Sequence, residues 1–294
     1  MPQPRTSPIP LTRRQLVAIG AGAILAVHPD ASLGQSRDQR TFVVAGLDSR
    51  APVDPGNTDA LLLVRLDLDA GTVRALSVPR DLYVVIPGFE RDKICRAYDL
   101  GMRADADRDW EAGAETLART ILRNFGVEVD GSAFADFDGF PEVIDALGGI
   151  ELDNPYDVYN PDRTRVVFPE GTITLDGEEA LEFTRTRHQD GDDGRVDRQQ
   201  LVLAAMLDKA QDPAIRADLP GIFATALDAV RTDVSLPLQL RLFDLAQNIS
   251  EDDVAFGTIT EFLTEETLPA GMWVYQADWK TLPDYVQSWL DGDV

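Results

Sequence analysis

Apolar and polar positions recur along the first half of the chain with spacings that predict alternating strands and helices. Residues 41–47 form an apolar, β-branched run that ends at Asp48, which is typical of a buried strand. Residues 60–67 and 72–78 predict two further strands, and the turn at residues 69–71 between them indicates a hairpin. A short strand is predicted over residues 83–86.

Helical spacing follows in several segments. Residues 111–125 place four apolar side chains on one stripe before Gly126: Leu117, Ile121, Leu122 and Phe125. A shorter apolar face precedes Gly148: Phe140, Val143, Ile144 and Leu147. Residues 180–188 alternate like a strand with four side chains on one face, namely Leu181, Phe183, Arg185 and Arg187. Because residues 195–210 again predict a helix, we expect an α/β fold: a single layered α-β-α sandwich on a mixed central sheet.

The N-terminus has the features of an export signal. Residues 12–16 contain a twin-arginine pattern, Arg13-Arg14, and a weakly apolar run follows at residues 16–27. That run is shorter than the roughly 20 residues that span a bilayer. We therefore predict an export signal at residues 1–34 and an extracytoplasmic location, with an uncleaved anchor or a disordered tail as alternatives. The remaining domain is predicted over 35–294, with its motifs at about 42–209 and a mainly helical remainder at 210–294.

Charge and composition limit the function. The 294 residues carry a formal net charge of −24, which disfavours general binding of nucleic acid. Apolar residues make up 44% of the chain, enough to fill a core. Cys95 is the single cysteine and allows no internal disulfide, so the fold must be held by packing.

Arginines stand out against this acidic background in one short segment: Arg185, Arg187, Arg195 and Arg198. Guanidinium groups bind phosphate through charge-assisted hydrogen bonds worth about 1.5–3 kcal/mol each. Arg195, Arg198 and Gln199 share one surface near the start of the predicted helix, where strand and helix arginines would converge. We predict an anion site here; salt bridges to the nearby aspartates of residues 190–197 are the alternative.

Carboxylates provide a second candidate site. Asp48 ends one predicted strand and Asp59 opens the next, a hard-oxygen pair suited to Mg²⁺, although solvated loop residues would give the same pattern. Arg80 and Asp81 follow a strand end, where open α/β sheets carry ligand sites; a surface ion pair is the alternative. The sequence contains no zinc-type His/Cys spacing and no glycine-rich phosphate loop.

Eight motifs, which follow one another along the chain, resemble those of the LytR-CpsA-Psr family of cell-envelope phosphotransferases. The resemblance covers about residues 42–209. The motifs are Gly46-Leu47-Asp48-Ser49-Arg50, Thr58-Asp59, Ser77-Val78-Pro79-Arg80-Asp81, Lys93-Ile94-Cys95-Arg96-Ala97-Tyr98, Asp138-Gly139-Phe140 with Leu147-Gly148-Gly149, Leu175-Asp176-Gly177-Glu178-Glu179-Ala180-Leu181, Arg185-Thr186-Arg187, and Gly194-Arg195-Val196-Asp197-Arg198-Gln199-Gln200.

The resemblance implies an enzyme that transfers a phosphoglycopolymer from a polyprenyl-pyrophosphate carrier at the membrane surface to peptidoglycan, with an apolar pocket for the lipid. It implies Mg²⁺ held by Asp48 and Asp59. The implied catalytic residues are Asp48, Asp59, Arg80, Arg185 and Arg187. The implied substrate-binding residues are Arg195, Arg198, Gln199, Asp192, Lys93 and Arg50. Phe140, Val143 and Ile144 are candidates for the lipid pocket, with ordinary core packing as the alternative.

The chain also departs from the family pattern. Asn57 stands where family members usually carry arginine, and Cys95 stands where asparagine is usual. Most members keep a membrane anchor, whereas this chain has the short twin-arginine leader. Two other functions stay open: a polyprenyl-pyrophosphate phosphohydrolase, since the same metal and arginines serve water as acceptor, and a non-catalytic binder of lipid-linked phosphorylated glycans.

Overall fold

A mixed β-sheet forms the centre of the protein. The computed structural model describes residues 38–48, 56–135, 139–186, 189, 191–216, 218–249 and 253–294. Within these ranges the central sheet runs, from edge to edge, through β11 (Val230–Thr232), β6 (Gly131–Ala135), β1 (Gln39–Leu47), β2 (Thr58–Asp67), β3 (Thr72–Ser77) and β12 (Val254–Thr258). β2 is antiparallel to β1 and β3, whereas β6 runs parallel to β1 and β12 parallel to β3. The predicted hairpin of β2 and β3 and the predicted mixed sheet are therefore confirmed.

Helices and small hairpins surround this sheet. The described helices are α1 (Arg96–Ala104), α2 (Trp110–Phe125), α3 (Gly139–Ala146), α4 (Gly177–Arg185), α5 (Gly191–Gln211), α6 (Pro213–Arg216), α7 (Leu219–Ala229), α8 (Leu236–Asn248) and α9 (Leu282–Asp291). The described two-stranded pairs are β4 (Tyr83–Val85) with β5 (Arg91–Lys93), β7 (Ile150–Asn154) with β10 (Gly171–Leu175), β8 (Val158–Tyr159) with β9 (Val166–Phe168), and β13 (Leu263–Thr267) with β14 (Trp273–Ala277).

Apolar side chains project from both faces of the central sheet, and helices therefore cover both faces. On one face, Val43 and Leu63 belong to a buried cluster with side chains of α1, α2 and α9. On the other face, Phe42 and Val64 pack in a second cluster with side chains of α5 and α8. Each fully buried side chain of this size contributes about 1.5–3 kcal/mol. This two-sided core confirms the layered α-β-α sandwich.

Helix α2 ends at Gly126 as predicted, whereas one side chain of its predicted apolar stripe, Leu122, is exposed. Asp109 caps the helix by accepting a hydrogen bond from Glu111 N, and Gly126 ends it with a φ of 71°. Ile121 and Phe125 are buried on the predicted stripe. Leu122 is 47% exposed, because it lies one residue past Ile121 and therefore about 100° around the helix.

The strand predicted at residues 180–188 is wrong over residues 180–185, because residues 177–185 form helix α4. Asp176 accepts a hydrogen bond from Glu179 N while the Glu179 carboxylate accepts one from Asp176 N, a capping box that starts the helix. Ala180 and Phe183 are buried three positions apart, as a helix requires. Arg185 therefore ends a helix rather than lying on a strand, and Arg187 lies outside the described residues.

Two further differences concern the second half of the chain. Helix α5 begins at Gly191, four residues before the predicted start, so Arg195 lies in its second turn. The remainder after residue 210 contains helices, but β11 and β12 also extend the central sheet at its two edges, and the sequence pattern did not reveal them. The segment after residue 210 therefore contributes strands to the same sheet as the motif-bearing segment. The predicted domain limits stay a prediction.

The predicted export signal at residues 1–34 lies outside the described residues. Among the residues that are described, none of the helices combines the length and the apolar character that crossing a bilayer demands.

Candidate active site

A β-bulge places Asp59 at the end of the central sheet. Gly46 pairs with Ala60 but the next residue, Leu47, pairs with Thr58, so Asp59 is the extra residue on β2. Bulges of this kind redirect a side chain and are frequent beside active sites. The backbone continues in register just beyond, where Asp48 N donates to Asn57 O at 2.9 Å. The two predicted carboxylates are therefore carried by neighbouring strand ends.

Arg80 follows β3 and reaches the same strand ends. Its Nη1 donates to Asp59 Oδ1, and its Nε lies 3.4 Å from Asp81 Oδ2. Lys93 Nζ lies 2.6 Å from the other oxygen of Asp81. Asp81 is only 5% exposed, so its charge is compensated by these two cations rather than by water. Arg80 is thus held between two carboxylates, and Lys93 is engaged by Asp81.

The backbone of Cys95 connects the pieces that carry Asp59 and Arg80. Cys95 N donates to Arg80 O at 3.1 Å, and Thr58 N donates to Cys95 O at 3.1 Å. The Cys95 side chain is buried, and this burial raises the pKa of its thiol to about 12 despite the nearby positive charge of Arg80. Cys95 is therefore a neutral packing group, and its backbone fixes the geometry of the site.

Helix α5 contributes side chains that face two different ways. Arg195 and Gln199, one turn apart, line the same cavity as Asp59, and Arg195 is only 3% exposed. Arg198 points toward α4 instead. Its Nε donates to Phe183 O at 3.1 Å and its Nη2 to Thr186 O, so its guanidinium binds the carbonyl groups at the end of α4.

An apolar cavity of about 240 Å³ opens beside these residues. It is lined by residues of β1, β2, α4 and α5, together with Ser77 of β3, Ala135 of β6 and Phe140 of α3. Its apolar lining consists of Val44, Ala45, Leu47, Ala60, Leu61, Leu62, Ala135, Phe140, Leu181, Val196, Val202 and Leu203. Its polar lining consists of Asp48, Asp59, Ser77, Thr184, Arg185, Arg195, Gln199 and Gln200. We call Asp48, Asp59, Arg80 and Arg195 the charged cluster.

A second cleft, of about 440 Å³, lies at the opposite end of the same strands. Its arginines already have protein partners: Arg65 Nη1 is 2.6 Å from Asp291 Oδ1, and Arg74 Nε donates to Trp289 O at 2.5 Å. Chemistry selects the apolar cavity, because only there do apolar walls meet the predicted carboxylates and arginines among the described residues.

The structure brings together most of the predicted site residues it describes. Asp48, Asp59, Arg185, Arg195 and Gln199 line the apolar cavity, with the exposed Arg185 at the end of α4. Arg80 joins them through Asp59. Of the candidates for the lipid pocket, Phe140 lines the cavity, whereas Ile144 is packed in the core.

Other predicted residues stand apart or lie outside the description. Lys93 pairs with Asp81 and Arg198 binds α4. Arg50 and Arg187 lie outside the described residues, and of Asp192 only the backbone, in α5, is described. Val143 is half-buried on α3 and is not part of the cavity lining.

Sequence reasoning missed several lining residues. Val196, Gln200 and Leu203 follow helical spacing with Gln199, so the predicted helix contained the signal for a cavity-facing stripe. Thr260 and Tyr275 also lie beside Arg80, although both come from the C-terminal part of the chain, where the sequence carried no indication of chemistry.

The residues present are compatible with Mg²⁺. Within the described ranges no group of three or more His, Cys, Asp or Glu side chains comes together as a metal site. Mg²⁺ often uses only one or two carboxylates and takes its remaining ligands from water and substrate phosphates. Asp48 and Asp59, which line one cavity beside Arg195, fit that role.

Fold and site together define a class of protein: an α/β sandwich whose apolar cavity ends in carboxylates and arginines. A family model described as the LytR_cpsA_psr family matches residues 21–288. The chain therefore belongs to the LytR_cpsA_psr family, and the resemblance found in the sequence is confirmed.

Named relatives share one activity. The chain is 31% identical over 214 residues to the polyisoprenyl-teichoic acid–peptidoglycan teichoic acid transferase TagV of Bacillus subtilis, covering 70% of this chain and 52% of TagV. It is 35% identical over 184 residues to the transferase of the same description, TagU, of Oceanobacillus iheyensis, covering 60% of this chain and 53% of TagU. The match thus spans about half the length of these two relatives.

Solved structures support the fold. The crystal structure of B. subtilis TagV has a TM-score of 0.71 at 28% identity, covering 87% of this chain and 99% of that chain. The structure described as TagT bound to LIIa-WTA has a TM-score of 0.66 at 25% identity, covering 92% of this chain and 96% of that chain. The predicted fold class is confirmed by both.

Proposed function

We propose that this protein is a phosphotransferase that moves a phosphorylated glycopolymer from a polyprenyl-pyrophosphate carrier to peptidoglycan with the help of Mg²⁺. One observation carries the proposal: Asp48, Asp59 and Arg195 line the same cavity, whose other walls are largely apolar. A prenyl chain suits those walls, and a pyrophosphate suits a metal and guanidinium groups. The relatives named as teichoic acid transferases support this substrate class.

The reaction needs little acid-base chemistry from side chains. The acceptor hydroxyl oxygen attacks the phosphorus next to the glycan, and the bond from that phosphorus to the bridging oxygen breaks. Prenyl monophosphate leaves with the electron pair of that bond, and the hydroxyl proton passes to water. Arg195, and Arg80 held by Asp59, stabilise negative charge on the phosphate oxygens. A bound Mg²⁺ would supply further positive charge beside Asp48 and Asp59.

The proposed location follows from the proposed substrates. A prenyl carrier is anchored in a membrane, and peptidoglycan lies outside the cytoplasm. The protein would therefore act at the extracytoplasmic surface of that membrane, after export through the signal at residues 1–34. Cell fractionation of the full chain, with Arg13 and Arg14 changed to Lys as the export control, tests this location. Retention of the unchanged chain in the cytoplasm would contradict it.

Hydrolysis is the second candidate function. Beside Asp59 and Arg80 lies a space of about 20 Å³, room for roughly one water molecule. Water bound there would turn the same site into a pyrophosphate phosphohydrolase. Product analysis separates the two functions, because only transfer leaves phosphate covalently bound to peptidoglycan.

The test uses the purified full chain, a synthetic prenyl-pyrophosphate glycan, peptidoglycan and Mg²⁺. We expect glycan to become attached to peptidoglycan and prenyl monophosphate to be released, with the loss of both when the metal is chelated. Asp59→Asn should lower the rate about 100-fold or more. Asp228→Asn, an exposed aspartate of α7, is the matched control and should stay within about twofold. The proposal would be refuted if the wild-type protein neither binds nor cleaves the donor.

A further inference from the structure

Helix α8 carries apolar side chains on two opposite sides. One side, with Leu238, Leu242 and Leu245, packs in the buried cluster between the central sheet and helices α5 and α8. The other side carries Leu236 and Leu240, which are 50% and 57% exposed. At about 100° per residue, the centres of the two sets lie roughly 180° apart around the helix axis. Because one apolar side is enough to hold a helix on a sheet, the second side indicates a further contact.

The exposed side forms a continuous stripe. Leu236 and Leu240 lie one turn apart, and the half-buried Phe243 follows three residues later on the same side. The Phe243 ring lies against Phe223 of α7, with ring centroids 4.8 Å apart, so the stripe borders the neighbouring helix. We call Leu236, Leu240 and Phe243 the apolar stripe of α8.

The area of the apolar stripe favours a lipid surface over a second copy of the chain. The exposed fractions of Leu236 and Leu240 correspond to an apolar area on the order of 100–200 Å². A specific protein–protein interface buries about 800 Å² on each partner. A bilayer requires no complementary surface of that size, because a few apolar side chains can enter the boundary between headgroups and acyl chains.

The inner side of α8 shares its buried cluster with the apolar cavity of the candidate active site. Leu62 lines that cavity and belongs to the same cluster as Leu242. Leu203 of α5 also lines the cavity and packs against this cluster, as Leu238 does. A bilayer at the apolar stripe would therefore lie on the side of the sheet where the proposed prenyl-binding walls are found.

The first described residue is bound to the same helix. Arg241 Nη1 donates to Asp38 Oδ2 at 2.5 Å, and Arg241 is the neighbour of Leu240 in α8. The apolar run of the predicted export signal ends at residue 27, so residues 28–37 join it to Asp38. Ten residues span at most about 35 Å. A bilayer that receives this run would therefore lie within reach of α8.

The charges beside the stripe favour a neutral lipid surface. Arg241 is paired with Asp38, and the next charged residue of α8, Asp244, is exposed. Attraction to anionic headgroups takes clusters of Lys and Arg, and the formal net charge of the whole chain is −24. Contact with lipid would therefore depend on the apolar side chains rather than on charge.

We propose that the apolar stripe of α8, formed by Leu236, Leu240 and Phe243, is the surface through which this protein contacts the lipid bilayer that carries its donor. This inference rests on the proposed transferase function and deepens it by assigning the membrane-facing side of the fold.

The first experiment places an environment-sensitive fluorescent label on the stripe, through Leu240→Cys in the full chain, and adds phosphatidylcholine vesicles. Leu122→Cys is the matched control, because Leu122 is 47% exposed on α2, which covers the opposite face of the sheet. Cys95 is buried, and a labelling reaction with the wild-type chain checks that it stays unmodified. We expect vesicles to shift the emission of the label on Leu240→Cys to the blue and a lipid-borne quencher to reduce it, with neither change for Leu122→Cys.

The second experiment measures transfer from two donors, a long-chain prenyl pyrophosphate glycan in phosphatidylcholine vesicles and a short-chain, water-soluble one. The double variant Leu236→Asn with Leu240→Asn should raise the KM for the vesicle donor about tenfold, because its polar side chains leave the bilayer. Its KM for the soluble donor should stay within about twofold, as should both KM values of the control Leu122→Asn. Equal KM values of the double variant and the wild-type chain for the vesicle donor would overturn the proposed surface and leave the transferase intact.

The label gives outcomes that do not depend on transfer. Emission from Leu240→Cys that vesicles leave unchanged would overturn the membrane contact. A blue shift that is already present without vesicles would also overturn it: one that grows with protein concentration would assign the stripe to a second copy of the chain, and one that does not would assign it to the N-terminal segment. Vesicle contact at Leu240→Cys without any transfer by the wild-type chain would support the membrane surface and contradict the transferase.

Discussion

Arg198 donates its Nε to the backbone carbonyl oxygen of Phe183 at 3.1 Å and so ties helix α5 to the end of helix α4. The same guanidinium also binds Thr186 O and the hydroxyl of Tyr156. Arg198 is 1% exposed. It satisfies carbonyl groups that the end of a helix leaves without partners, and it thereby positions Arg185 and Arg195 on the two helices.

Removing this guanidinium should lower stability. Arg198→Met keeps the apolar stem but leaves two buried carbonyl groups without donors, at about 1–3 kcal/mol each. We expect the free energy of unfolding in urea to fall by about 2–5 kcal/mol. Arg216→Met, at an exposed position of α6, is the control and should change it by no more than about 0.5 kcal/mol. Unchanged stability with weakened donor binding would instead mean that Arg198 binds substrate.

Asp81 should act as a positioning residue for Arg80. Asp81→Asn removes the charge shared by Arg80 and Lys93, so we expect kcat for the proposed transfer to fall about tenfold with a smaller change in KM. Adding Lys93→Met to Asp81→Asn should recover part of any lost stability, because it removes the uncompensated cation.

Asp92→Asn is the control for Asp81→Asn, since Asp92 pairs with the exposed Arg96. Its kcat should stay within about twofold. If Asp81→Asn and Asp92→Asn have equal kcat, Asp81 does not position Arg80.

The thiol of Cys95 should make stability fall at alkaline pH. Its pKa is raised from 9.0 to about 12 in the folded protein, chiefly by burial. The unfolded thiol therefore ionises first: the contribution is fully present below about pH 9 and is lost as pH rises toward 12. We expect the difference in unfolding free energy between the unchanged chain and Cys95→Ser to shrink by about 1 kcal/mol from pH 8 to pH 10. A difference that stays constant with pH would contradict a buried neutral thiol.

The capping box of α4 should contribute measurably. Asp176→Ala removes the side-chain acceptor for Glu179 N, and we expect the free energy of unfolding to fall by about 1 kcal/mol. Glu178→Ala, an exposed acid in the same first turn, should cost only a few tenths of a kcal/mol. Equal losses in thermal or urea unfolding would show that helix-dipole charge, rather than the capping hydrogen bond, matters here.

Local sequence patterns were sufficient to predict a strand or a helix where the segment fitted only one periodicity. Residues 41–47 and 60–67 alternate between two buried faces, and Gly126 ends α2 as expected. Residues 180–188 misled, because Leu181 and Phe183 also fit alternation, whereas the capping box at Asp176 and Glu179 carried the decisive helical signal.

The sequence by itself determined the α/β class, the strands that carry Asp48, Asp59 and Arg80, and the family, because hydrophobic periodicity and ordered motifs are local properties of the chain. Only the tertiary structure decided that Arg198 faces α4, that Lys93 pairs with Asp81, and that Tyr275 reaches Arg80 from nearly 200 residues away. These contacts depend on the orientation of each helix about its own axis and on which segments pair with the edge strands. The spacing of residues along one segment encodes neither.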